Sequence, residues 1–214
     1  CASEVIESGR FEWVKQENLT NAKMADLTFS TEHLFALNVV NLGSRAEKYF
    51  TGGNLGFALD ETNLLEYYES AQDYRYLYQF KSGTGLSNSL RYLMKYDQLT
   101  GDVSTSWPDS YRNKMAMIRL PEMYFIIMEC GTLTEANAAY EEYCNARGIT
   151  YKPLTEDDRQ ERVILESIRE YVAEGQNFFT YKRNNVKNMY GAITTSSEDQ
   201  YIMPLPEAEY ADVK

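Results

Sequence analysis

The segment from Arg119 to Gly148, RLPEMYFIIMECGTLTEANAAYEEYCNARG, constrains the fold more than any other part of this chain. It reads as two amphipathic helices joined by a turn so short that they must fold back on each other. In the first helix Leu120, Met123, Tyr124, Ile127 and Met128 recur at the three-and-four spacing of one helix face. In the second, Ala136, Ala139, Tyr140 and Tyr143 form the facing stripe, and the two alanines let the backbones approach closely. Thr132 and Glu135 have the spacing of a capping box, and Gly148 suits the left-handed position after the second helix. A helical hairpin with both ends marked is the expectation.

The remaining chain is compatible with one folded domain around such a hairpin. Its 214 residues are 43% hydrophobic and 25% charged, enough for a sizeable core. A formal charge of −11, from 32 acidic against 21 basic residues, repels phosphate backbones, so nucleic acid is not an expected partner. No apolar run approaches the roughly 20 residues that cross a bilayer, and the opening CASEVIESGR lacks the pattern of a signal peptide. Cys1, Cys130 and Cys144 are too few and too irregularly spaced for a disulfide framework or a zinc site, so no metal is expected. Along an unbroken hairpin, Cys130 and Cys144 would lie roughly 15 Å apart, too far to bridge.

Outside the hairpin the pattern changes from segment to segment. Ala2–Ser8 reads as the end of a helix closed by Gly9. Glu32–Val40 is a compact apolar run predicted to be extended and buried. Asn41–Leu59 mixes Gly43, Gly52, Gly53 and Gly56 with Tyr49, Phe50 and Phe57, which predicts a long aromatic loop. Asp60–Ser70 reads as helix. Tyr74, Tyr76, Tyr78 and Phe80 alternate at a period of two, which predicts a strand over Asp73–Phe80. Leu90–Tyr96 follows a Gly/Ser-rich segment and could pair with a neighbour. Thr155 can cap a third strong helix whose predicted apolar face is Ile164, Leu165, Ile168, Tyr171 and Val172, ending at Gly175. Phe178, Phe179 and Tyr181 should pack back on it, and the two prolines of YIMPLPEAEY predict an extended tail.

Four of these stretches together resemble the SusD/RagB family of nutrient-binding outer-membrane lipoproteins. Ala2–Phe11 is similar to the family's helix ending in an A-x-x-V-I-x-S-G-x-aromatic pattern. Met117–Cys130, with Arg119, Glu122 and Tyr124, is similar to its R-x-x-E helix, and Asn145-Ala146-Arg147-Gly148 to the ending of the partner helix. Ile164–Arg183 resembles I-x-x-E-R-x-x-E-F-x-x-E-G-x-R-x-x-D-x-x-R, and Tyr201–Pro206 resembles Y-L-x-P-I-P. Tyr171, Gln176 and Thr180 depart from the pattern, which implies that some of its ion pairing is replaced or lost.

The resemblance implies a mainly α, SusD-like fold of tetratricopeptide-type helix pairs with long irregular loops and a few short strands. Residues 1–214 would be a single domain corresponding to the C-terminal half of the family fold. Two readings of Cys1 then compete, the acyl-bearing residue of a mature lipoprotein or an ordinary helix residue exposed by truncation. The second is favoured because Ala2–Ser8 reads as the tail of an amphipathic helix rather than a flexible tether, and a lipid anchor then belongs only to a full-length form. The implied function is capture of an oligosaccharide or other glycan at the extracellular face of the cell outer membrane, beside a TonB-dependent transporter of the SusC type. The alternative is a helical module that only docks on the transporter.

The residues offer little chemistry of their own. His33 is the only histidine and sits beside an apolar run, so an acid-base triad has no obvious base. Acidic pairs are too common among 32 carboxylates to single out a glycosidase. Neither Gly52-Gly53 nor Gly83-Thr84-Gly85 sits in a phosphate-binding context. Arg119 with Glu122, and Arg169 with Glu170 and Glu174, read as scaffold, the first as a pair three residues apart on one helix face. No enzyme and no cofactor are expected. Aromatic residues, at 14% of the chain, suit the flat C–H faces of neutral sugars, so the candidate ligand contacts are Tyr49, Phe50, Asn54, Phe57 and Trp107.

Overall fold

A computed structural model describes residues 1–20, 25–50, 57–83, 89–96, 113–189 and 198–202. Within them the chain is mainly helical. The helices are α1 (Ala2–Glu7), α2 (Gln16–Leu19), α3 (Leu42–Phe50), α4 (Glu61–Tyr68), α5 (Tyr74–Gln79), α6 (Leu120–Cys130), α7 (Leu133–Arg147), α8 (Arg159–Glu170) and α9 (Asn177–Arg183). The strands are β1 (His33–Asn38), β2 (Ala58–Asp60), β3 (Phe80–Ser82), β4 (Leu90–Leu93) and β5 (Lys114–Arg119). None of the described helices is long and apolar enough to cross a membrane.

Helices α6 and α7 form the predicted hairpin and carry the largest core cluster. Leu120, Tyr124, Phe125 and Met128 of α6 meet Ala136, Ala139, Tyr140 and Tyr143 of α7, all buried. The capping box is present: Thr132 Oγ1 accepts from the Glu135 amide at 3.3 Å, and the Glu135 carboxylate accepts from the Thr132 amide at 2.7 Å. Gly148 takes the left-handed conformation that closes α7, at φ 68°. Helices α1 and α8 both pack on α6, and α9 packs on α8. Asp158, not Thr155, holds the N-cap position of α8, and Thr155 three residues earlier exchanges hydrogen bonds with it at 2.7 and 3.2 Å. Of the thiols, Cys130 is exposed and Cys144 buried, both unbridged.

Two small antiparallel sheets complete the frame. β1 pairs with β5, setting Ala36 opposite Ala116 and Phe35 opposite Ile118, and β4 lies between β2 and β3. Of the predicted extended run 32–40, residues 33–38 form the strand, but apart from Glu32, which is buried in the turn before it, the run is not buried. Phe35 is 52% exposed, and Leu37, Val40, Met117 and Ile118 are exposed with it, because this ribbon has two strands and one face left uncovered.

Three further expectations fail for identifiable reasons. Residues 42–50 form a helix rather than a loop, since Leu42, Ala46 and Phe50 fall at four-residue intervals and Leu42 and Ala46 pack against Tyr96. Residues 74–79 form a helix rather than a strand. Asp73 caps it by accepting from the Arg75 amide at 2.8 Å. The alternating tyrosines divide between two helix faces: Tyr74 meets Tyr78 at 5.7 Å, while Tyr76 and Phe80 meet Tyr68.

The third correction concerns α8. Its buried face is Val163, Glu166, Ser167, Ile168, Arg169 and Glu170, whereas Ile164 and Leu165 remain only half-buried. Tyr171 is buried in the turn beyond it. Of the tail, Glu198–Tyr201 is a 3-10 turn in which the Tyr201 ring meets Phe178 at 6.1 Å; residues 203–214 lie outside the described residues.

Candidate functional site

The most concentrated chemistry in the molecule is interior. Glu32, Asp73, Glu166, Glu170 and Glu174 are buried together with Arg75, Lys95, Arg119, Arg147 and Arg169, a cluster of five acids and five bases among the described residues; a sixth buried acid, Asp26, is instead bound by Thr28 and Ser30. Glu166, Glu170 and Glu174 follow one another at helical spacing along α8 and the turn beyond it, and each meets cations from other segments. The Glu170 carboxylate accepts from Arg119 Nη1 and Arg147 Nη2, both at 2.7 Å, from Arg147 Nε at 2.9 Å and from the Tyr143 hydroxyl at 3.1 Å. Glu166 accepts from Arg75 Nη2 at 2.9 Å and Arg169 Nη1 at 2.7 Å. Glu174 accepts from Arg119 Nε at 3.0 Å and Nη2 at 2.8 Å, and from Lys95.

Two acids from elsewhere close the lattice. Glu32, just ahead of β1, receives Arg147 Nη1 at 2.9 Å, Arg147 Nη2 at 2.7 Å and Arg119 Nη1 at 3.2 Å. Asp73, the cap of α5, receives Arg75 Nη2 at 2.5 Å and Nε at 2.9 Å. Aromatic rings line the cations: the Arg147 guanidinium lies 4.8 Å from the Trp13 ring and 4.7 Å from that of Phe29, and Arg119 lies 5.3 Å from Tyr171. Much of the aromatic content therefore serves the interior.

The protonation states follow from this packing. Burial alone would raise the Glu170 carboxyl, but Arg147 and Arg119 outweigh it and hold the group well below the ordinary carboxylate range. Glu166, beside Arg75 and Arg169, and Glu174, beside Arg119 and Lys95, are lowered by the same balance. For Asp73 burial wins over Arg75 and the carboxyl is raised. Burial likewise drives His33 down to about 4, and its Nε2 lies 3.0 Å from the Thr28 carbonyl oxygen, so near neutral pH the ring is uncharged and Nε2 carries its proton. Such groups are committed to one another and are poor general acids or bases.

The expected pairing of Arg119 with Glu122 is not formed. Arg119 precedes α6 in extended conformation and turns inward to Glu170, Glu174 and Glu32, while Glu122 stays half-buried beside a separate groove. The expected grouping of Arg169, Glu170 and Glu174 is real only as part of the larger lattice. Glu32, Arg75 and Arg147 are among its unforeseen members, since Glu32 meets Arg119 and Arg147 from 87 and 115 residues away, Arg75 meets Glu166 from 91 and Arg147 meets Glu170 from 23, separations that leave no local spacing. Gln176, one departure from the family pattern, donates to the Met117 carbonyl oxygen at 3.2 Å, and Thr180, another, is buried.

Three of the five expected ligand residues come together at the surface. The Phe57 amide donates to the Tyr49 carbonyl oxygen at 2.5 Å, and the rings of Phe50 and Phe57 lie 6.2 Å apart. Phe50 is half-buried and packs between two core clusters, one around Leu42 and one around Leu64. Tyr49 and Phe57 are 56% and 71% exposed. Phe50 is thus an anchor rather than a contact surface. Asn54 and Trp107 lie outside the described residues.

Two open grooves flank α8. One, of about 590 Å³, runs between α6 and α9 and is lined by Phe125, Ile126 and Phe179 with Glu122 and Tyr171. The other, of about 780 Å³, lies between α4 and the segment after α9. Among the described residues no group of three or more His, Cys, Asp or Glu side chains is placed to hold a metal ion. Comparison with family models, curated proteins and solved structures finds no match to this chain.

Proposed function

We propose that this chain is part of a non-enzymatic nutrient-binding protein of the SusD/RagB kind, with tetratricopeptide-type helix pairing in its scaffold. It captures an oligosaccharide at the extracellular face of the outer membrane and hands it to a TonB-dependent, SusC-type transporter. The observation that carries the binding role is the pair of exposed aromatic residues, Tyr49 and Phe57, tied by a backbone hydrogen bond, with the Phe57 ring 6.2 Å from that of half-buried Phe50. Flat apolar faces on a soluble, acidic surface suit a neutral sugar, whose C–H faces stack on rings and whose hydroxyls remain wet. The interior ion pairing supports a role as scaffold, because the groups best able to move protons are spent on holding segments together.

A second reading, in which the chain only docks on the transporter, is favoured by the uncovered apolar face of the β1–β5 ribbon around Phe35, Leu37, Met117 and Ile118. Isothermal titration against a panel of neutral oligosaccharides separates the two. The first reading expects binding that weakens about tenfold in Tyr49→Ala and in Phe57→Ala, the scale of a lost stacking contact of roughly 1.4 kcal/mol. Binding indifferent to both substitutions contradicts the assigned rings. A chain that binds no glycan but co-purifies with the transporter selects the second reading.

A further inference from the structure

The orientation of α8 leaves something unfinished. Its charged face is turned to the interior, and the aliphatic residues Ile164, Leu165 and Ile168 instead floor the larger groove, where Ile164 and Leu165 stay half-buried. An apolar stripe on a helix is normally covered by another element, and among the described residues Tyr181 and Val186 line the groove beside it without burying Ile164 or Leu165. The rest of the lining is strongly one-signed. Glu66, Glu69, Asp157 and Glu161 are all exposed, and the single cation among the described lining residues, Arg169, is already held by Glu166 and Glu69.

We propose that this groove seats an amphipathic helix of a partner protein, one with an apolar stripe flanked by lysine or arginine. The floor residues fall three and four apart along about 12 Å of α8 from Gln160 to Ile168, the spacing at which one helix offers ridges and grooves to another. Apolar anchors would fill the floor, and cations on either side would meet the four acids, the arrangement of helix-in-groove recognition. A second copy of the chain is the poorer occupant, because each copy brings a charge of −11 and the same acidic rim. The inference stands independently of any sugar site.

The test uses the whole chain and a synthetic helical peptide of about 14 residues, or four turns, with leucines at positions i, i+3, i+4 and i+7 and lysines beside them. Its control is a scrambled peptide of the same composition. Fluorescence anisotropy is expected to show the patterned peptide binding at least about tenfold more tightly than the scrambled one, and weakening as salt is raised. Glu161→Lys and Leu165→Gln should each reduce binding about fivefold or more, with unchanged circular dichroism and melting temperature. Equal binding of the two peptides, no binding of either, or variants that bind like the parent would overturn the inference. So would self-association in sedimentation that Leu165→Gln abolishes, which would make the occupant a second copy.

Discussion

Arg147 shows how much of this fold depends on single side chains. It ends α7, yet its guanidinium bridges Glu32 and Glu170, from segments far apart in sequence, with four hydrogen bonds between 2.7 and 2.9 Å. Burying one charged group is costly, and removing its partner leaves that cost uncompensated. Arg147→Ala is expected to destabilise the chain by about 3–5 kcal/mol in denaturant unfolding, or to prevent folding. Arg183→Ala is the contrast. That arginine also holds a carboxylate with two bonds, to Glu129 at 2.5 and 2.7 Å, but it is 57% exposed, so its loss should cost no more than about 1 kcal/mol. Equal costs would mean that the interior pairs are hydrated like surface ones.

At the scale of elements, the hairpin was legible because every signal for it is local. Thr132, Glu135 and Gly148 act within a turn of their own positions, and the stripes of α6 and α7 meet across one short connection. The other elements depended on information a local pattern lacks. The tyrosines of α5 alternate like those of a strand, but the Asp73 cap and packing on Tyr68 decide for helix. In α8 the periodicity identified the helix, and Ile168 and Tyr171 of its predicted apolar face are buried, but Ile164, Leu165 and Val172 stay half-buried while charged residues take much of the inward face. Which face is buried was settled by arginines from β5, α5 and α7, not by hydrophobicity alone. Of the candidate ligand rings, Tyr49 and Phe57 stood out as aromatic residues in a glycine-rich stretch, whereas the anchoring role of Phe50 depends on core clusters that no local pattern reveals.

The turns between elements also differ in what they tolerate. Gly148 and Gly175 both have positive φ, at 68° and 78°. A Cβ at Gly148 would lie 2.4 Å from Tyr74 Cε1, whereas a Cβ at Gly175 meets nothing within 4 Å. Gly175→Ala should therefore cost only backbone strain of about 1–2 kcal/mol. Gly148→Ala should cost more, because Tyr74 and with it α5 must shift; comparing the two unfolding midpoints checks the contact between the hairpin's end and α5.

At the scale of the molecule, the five-to-five charge lattice ties the turn before β1 to α5, β5, α7 and α8. Its dependence on pH is a balance: Asp73, raised by burial, contributes stability that is lost as pH rises through its folded value, and the three glutamates act in the opposite direction. Glu166, Glu170 and Glu174 are held below their ordinary values, so the stability they contribute is present above the ordinary carboxylate range and is lost as pH falls through their folded values. His33 adds a loss of the same direction, beginning as pH falls below 6.5 and complete near 4, since the unfolded ring takes up its proton first. Acid should thus unfold the chain by dissolving the lattice while the hairpin's apolar contacts remain favourable.

The most direct test of that organisation is a pH titration of the glutamate side-chain carboxyls by carbon-13 NMR, with Glu166, Glu170 and Glu174 assigned. The lattice requires these three to stay ionised through the range near 4.5 where surface glutamates protonate, changing only when the protein unfolds. If they titrate with the surface groups while the chain is still folded, the charges are not locked together in the interior and the scaffold described above is wrong.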